Sequence, residues 1–66
     1  MHMRISKSKL KIAQAKAVIG NKELAALAKV SPNTIVTAGK VDMQPVTIGR
    51  IAKALGVEVT EILEEN

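Results

Sequence analysis

Between Asn21 and Lys40 two short apolar helical patterns meet at Val30-Ser31-Pro32, and no other stretch restricts the folding of this chain as strongly. In the first pattern Leu24, Leu27 and Ala28 stand at i, i+3 and i+4, which predicts one apolar face on a helix. Ala25 beside them carries only a methyl, so a second helix backbone can come close. The next helix has a local start signal. Ser31 suits the N-cap, where its hydroxyl accepts from free backbone N–H groups, and Pro32 fits the first helical position, where no donor is needed. Ile35 and Ala38 then give this helix a narrow apolar seam, while Asn33, Thr34, Val36 and Thr37 cover its other side. Two short helices joined by a tight turn are the expected product.

The flanking segments read as helices too. A first helix is expected from about Ser6 or Ser8 to Val18, with Leu10, Ala13 and Ala17 inward. Ile19 fits the position that staples the second helix from outside, with Gly20 or Asn21 as its cap. Ile48, Ile51, Ala52 and Leu55 fall at i, i+3, i+4 and i+7, opened by Pro45 and stopped by Gly56. Gly49 inside that helix suggests close packing against a neighbour, since it weakens a helix by about 1 kcal/mol relative to alanine. A last helix over about Val59 to Glu65 is expected to bury Ile62 and Leu63, with Val57 as an apolar anchor before it. No strand is required. The fold class is therefore all-α, with five helices in one compact domain over residues 1–66. Residues 1–3 read as a disordered or vector-derived lead, and the lone terminal His2 is not expected to ligate a metal.

Sixty-six residues allow one small domain with a limited core, so dimerisation would help its stability. There is no cysteine, hence no disulfide framework or thiolate metal site. No run approaches the roughly 18 apolar residues of a membrane span, and MHMRISKSK lacks the apolar core of a signal peptide. A soluble cytoplasmic protein is expected. Aromatic residues are absent as well, which disfavours single-stranded nucleic acid and splayed RNA bases as ligands, because those are held by stacking on rings. Charge is segregated along the chain. Residues 1–40 carry eight Lys/Arg against Glu23, a balance of +7, whereas residues 41–66 come to −3. That polarity fits either a polyanion binder or a solvated lysine-rich face.

The residues Leu24, Ala25, Ala28, Val30, Ser31 and Ile35, followed by IAKALGVEVTEIL from Ile51 to Leu63, resemble the lambda Cro/repressor family, also called the Xre family. With the first helix, the resemblance spans nearly the whole chain. It implies a helix-turn-helix at helices two and three of a compact five-helix DNA-binding domain. It also implies a transcriptional regulator of phage, mobile-element or toxin-antitoxin type that binds double-stranded DNA, with a homodimer as the expected state. Helix three would enter the major groove, and Pro32, Asn33, Val36 and Thr37 would read bases. An Asn33 amide bonds bidentately to adenine, or else only supports the helix start. Val36 would touch a thymine methyl, or stand exposed or buried in a dimer. Asn21 and Lys22, where free N–H groups and the positive dipole end gather, are the expected phosphate contacts, with Lys40, Ser31 and Thr34 as further candidates. Lys7, Lys9 and Lys11 are expected to add to the long-range field; Lys29 fits either role. Two positions depart from the family pattern. Lys29 replaces the usual turn glycine, which predicts an opened turn or an extended helix, and Ala38-Gly39-Lys40 cuts short a helix that many members continue.

No nucleophile with its base can be assembled from one terminal histidine, no cysteine and carboxylates on a solvated face such as Glu61, Glu64 and Glu65. An enzyme is not expected, nor any cofactor or metal. The competing reading is a protein-interaction module, such as an antitoxin or anti-repressor, whose acidic C-terminal helix docks a protein partner and whose DNA binding is weak or partner-dependent. A nonspecific architectural binder is less well matched, since such proteins use apolar wedges or many arginines and this chain has only Arg4 and Arg50.

Overall fold

The computed structural model describes residues 3–64, and their order runs α1 (Lys7–Ala17), α2 (Asn21–Ala28), α3 (Pro32–Val36), α4 (Pro45–Leu55) and a short 3-10 turn over Val59–Glu61. The fold is all-α, without a strand among the described residues, and measures 27 × 21 × 17 Å. Met1, His2, Glu65 and Asn66 lie outside the described residues, and with them the expectations for His2 and for the end of the last helix.

α4 forms as its pattern predicts. Pro45 takes the first turn, Gly56 closes the helix at φ 70, and Ile48, Ile51, Ala52 and Leu55 are all buried. Gly49 behaves differently from expectation. A Cβ built there meets nothing within 4 Å, so no neighbour requires the glycine. Gly49→Ala is therefore expected to raise stability by about 0.5–1 kcal/mol through helix propensity and a less flexible unfolded chain, read as a higher denaturant midpoint at unchanged slope.

α1 starts at Ser6, whose Oγ accepts from the Lys9 backbone N–H at 3.4 Å, and buries Leu10 and Ala13. Val18, expected as its last helical residue, instead takes the left-handed conformation at φ 56 and stands 84 % exposed. That backbone is unusual for a β-branched residue. It lets the N–H groups of Val18 and Ile19 reach the carbonyls of Ala15 and Gln14 and turns Ile19 onto the core.

In α2 the buried residues are Leu24, Ala25 and Ala28, whereas Leu27 is 53 % exposed. At about 100° per residue, burying Ala25 draws the inward arc to the side of Leu24 away from Leu27. Lys29 ends α2 at φ 59 and ψ 44, so the turn is neither opened nor the helix extended. Lysine adopts the glycine-like backbone itself at a cost of about 1–2 kcal/mol, while the Lys29 and Val30 N–H groups close on Ala26 and Ala25.

α3 begins as expected, with the Ser31 Oγ accepting from the Thr34 N–H at 3.3 Å and Pro32 behind the cap. It is only 5 residues long. Ile35 is fully buried; Ala38 is buried too, but in the turn beyond the helix rather than on its seam. Gly39 at φ 90 ends any continuation.

Two extended pairings close the molecule. Met3 exchanges both backbone bonds with Met43, at 2.8 and 2.6 Å, so it is not part of a disordered lead. Farther along, the Ser6 N–H donates to the Ile62 carbonyl and the Glu64 N–H to the Arg4 carbonyl, which brackets an Ile5–Leu63 bridge. Ile5 and Ile62 are fully buried, and Arg4 points out to Asp42 at 3.0 Å. This exposed ion pair adds little stability. The same pairing explains the last element. Glu58 and Glu61 form a reciprocal capping box, yet the 3-10 turn stops at Glu61 because the next residues pair with the N-terminal segment instead of continuing a helix.

Candidate nucleic-acid interface

With Ile35 turned into the core, helical geometry sets Asn33 and Thr37 almost opposite it and Val36 and Thr34 on the flanks. Pro32, Asn33 and Val36 are exposed, and Thr37 is half-buried. Among the described residues, the Asn33 amide makes no hydrogen bond, so all of its donors and acceptors face solvent. Thr37 is committed further. Its hydroxyl donates to the Asn33 carbonyl at 2.9 Å, which leaves only oxygen lone pairs for a ligand. The hydroxyls of Ser31 and Thr34 lie 3.0 Å apart and satisfy each other, and the Ser31 oxygen also caps α3. Ser31 is thus chiefly structural.

The start of α2 supplies a second polar edge. Gly20 caps it without a side-chain bond, leaving the first-turn N–H groups of Asn21, Lys22 and Glu23 outside the intrahelical ladder. Gln14 of α1 reaches across and donates through Nε2 to the Ile19 carbonyl (3.3 Å) and to the Asn21 Oδ1 (3.0 Å). This holds Asn21 with its amide nitrogen turned outward. Lys22 is exposed beside it, and the carboxylate of Glu23 in the same turn partly offsets the positive end.

A third feature gathers at the far end of α3. Lys7 is no diffuse contributor to the field; its Nζ donates to the carbonyls of Ile35 and Val36, each at 3.1 Å, and so closes the C-terminus of this short helix. Burial, and then the neighbouring charges of Lys11 and Lys40, hold the Lys7 ammonium below the ordinary lysine range. The three cations therefore form one cluster, with Lys40 exposed at its edge. Lys9 is also fixed, donating to the Leu63 carbonyl at 3.3 Å. Both ties run between segments distant in the chain, which is why periodicity and charge counting do not reveal them. Gln14 carries no sequence signal either, beyond being a polar residue near a helix end.

Of the expected base-reading residues, Asn33 thus stands on the outer face of α3 with Val36 to one side, Thr37 is half-buried beyond the last turn, and Pro32 lies only about 60° from Ile35 around the helix. The Lys7–Lys11–Lys40 cluster gathers at the C-terminal end of α3, and Asn21 and Lys22 open α2. Neither a family profile nor a curated protein matches the chain. Among the described residues no helix is long and apolar enough to cross a membrane.

Proposed function

We propose that this chain is a sequence-specific double-stranded DNA-binding protein, a cytoplasmic regulator of transcription with a helix-turn-helix of the lambda Cro/repressor kind formed by α2 and α3. The observation that carries this reading is the Asn33 amide. It stands opposite the buried Ile35 and makes no hydrogen bond among the described residues, on a helix whose other outward groups are short. Such a face can lie against base edges in the major groove. Asn21, Lys22 and Lys40 supply the phosphate contacts that set its register, and Lys7 steadies the end of α3 rather than touching DNA. A five-residue helix offers few base contacts, so a homodimer with recognition helices about 34–36 Å apart is the arrangement that gives useful affinity.

Selection of bound duplexes from a random pool at near-physiological salt tests this directly. A palindrome with half-sites about one turn apart is expected. Asn33→Ala should then relax preference at one position, with a loss of about 1–3 kcal/mol on the selected site only, while Lys22→Ala should weaken all sequences alike and reduce the salt slope by about 1. An equal loss for Asn33→Ala on selected and random DNA would rule out base reading by this residue.

The alternative, an interaction module that docks through its acidic C-terminal helix, has less support. Among the described residues that segment forms a single 3-10 turn in which Glu58 and Glu61 are turned back onto each other's backbone amides.

A further inference from the structure

The C-terminal ends of α2 and α4 lie side by side and enclose a groove of about 540 Å³ lined by Leu27, Ala28, Lys29, Arg50, Lys53 and Ala54. Three of its lining residues are apolar and three are cations. Among the described residues, none of Lys29, Arg50 and Lys53 makes an ion pair or a side-chain hydrogen bond. The two helix ends offset only part of that charge, since each is equivalent to roughly half a negative charge. Leu27, kept out of the core by the burial of Ala25, is left half-exposed among these lining residues. Lys29 is brought to the groove by its left-handed backbone.

We propose that this groove docks an acidic amphipathic helix of a partner protein, which lays an apolar side chain on Leu27 and Ala54 and carboxylates against Lys29, Arg50 and Lys53. Charge and shape select this occupant over others. A phosphate backbone would satisfy the cations and leave Leu27 and Ala54 uncovered, and the chain offers no aromatic ring for a base to stack on. A second copy of this chain is also a poor complement, because Glu58 and Glu61 of its acidic stretch already serve as caps. The groove does not compete with the proposed DNA contacts on α2. Lys22 and Lys29 stand at opposite ends of that helix, about 10 Å apart along its axis, so one molecule has room for both ligands. The inference is independent of the DNA reading.

The test is a titration of the ¹⁵N-labelled protein with a synthetic acidic peptide of about 15 residues, long enough for a few helical turns, bearing leucines on one face and glutamates on the other. A control peptide has serine in place of leucine. Saturable shifts confined to the amides of Leu27, Ala28 and Lys29 and of Arg50 to Ala54 are expected with the leucine peptide, and none with the serine peptide. The doubly charge-reversed protein, Arg50→Glu with Lys53→Glu, should bind about five- to tenfold more weakly. Equal binding of both peptides, shifts centred on Lys7, Lys11 and Lys40, or no shift up to about 1 mM peptide would each overturn the proposal. So would a random-sequence DNA duplex or an anionic vesicle that moves the same groove amides in the unmodified protein. The mapping on that protein decides the matter even if the reversed variant folds poorly, and Asn33→Ala should leave it unchanged.

Discussion

Truncating Leu24 to alanine is expected to leave a large fraction of the molecules unfolded at physiological temperature. Leu24 is fully buried in α2, the helix that packs on both α3 and α4. Removing a buried leucine side chain costs about 2–5 kcal/mol, the spread reflecting how far the surroundings collapse into the cavity. At about 0.05–0.15 kcal/mol per residue, a chain of this length has roughly 3–10 kcal/mol in total. The core contains no aromatic ring to spread the loss, and its largest fully buried side chains are all Ile or Leu. A denaturant melt should show a much lower midpoint with the slope preserved. Leu27→Ala, three residues away on the same helix, should change stability by no more than about 0.5 kcal/mol because that side chain is half in solvent. Equal effects at the two positions would contradict the inward arc described for α2.

Gly39→Ala is the second large effect, and it arises from the backbone as well as from packing. Gly39 sits at φ 90, and a Cβ added there would lie 2.9 Å from the Lys7 Cβ, 3.3 Å from the Lys7 nitrogen and 3.4 Å from the Ile5 carbonyl oxygen. The left-handed backbone alone costs alanine about 1–2 kcal/mol. The neighbours cannot swing aside as a flexible side chain would, since they are the first residue of α1 and the segment that pairs with Leu63. Overpacking of this kind adds about 1–3 kcal/mol. The combined loss of about 2–5 kcal/mol should lower the melting temperature by roughly 10 °C or more for a domain this small. Displacing Lys7 also pulls its ammonium from the Ile35 and Val36 carbonyls, so the α3 amides should lose hydrogen-exchange protection first. Gly49→Ala makes the contrast. The same chemical change in open space and regular helix has the opposite sign, and a melt that lowered both variants alike would contradict the account of Gly39.

Much of the candidate interface follows from signals confined to a single helical turn. The Ser31 cap and Pro32 start α3 wherever the rest of the chain lies, and Pro45, the Ile48–Leu55 spacing and Gly56 define α4 in the same local way. Caps and periodicity act through neighbours in sequence, so a reader of the chain can see which side of α3 turns outward and place Asn33 upon it. Other features were settled by competition among distant segments for the same core. Leu27 reads as inward as Leu24 in its own helix, and only the packing of α3 and α4 on α2, which buries Ala25 and Ala28 with Leu24, leaves it half-exposed. The left-handed backbones of Val18 and Lys29 oppose local preference and are held because they turn Ile19 and Val30 onto that core. The alternation of Met3, Arg4 and Ile5 permits an extended segment, but its pairing with Met43 and Leu63 depends on positions about 40 and 58 residues away. That pairing shortens the last helix to a 3-10 turn and brings Lys7 under the end of α3. The outward position of Asn33 on the candidate interface was therefore legible in the sequence, whereas the groove beside Leu27 and the lysine that steadies α3 exist only once the helices have packed.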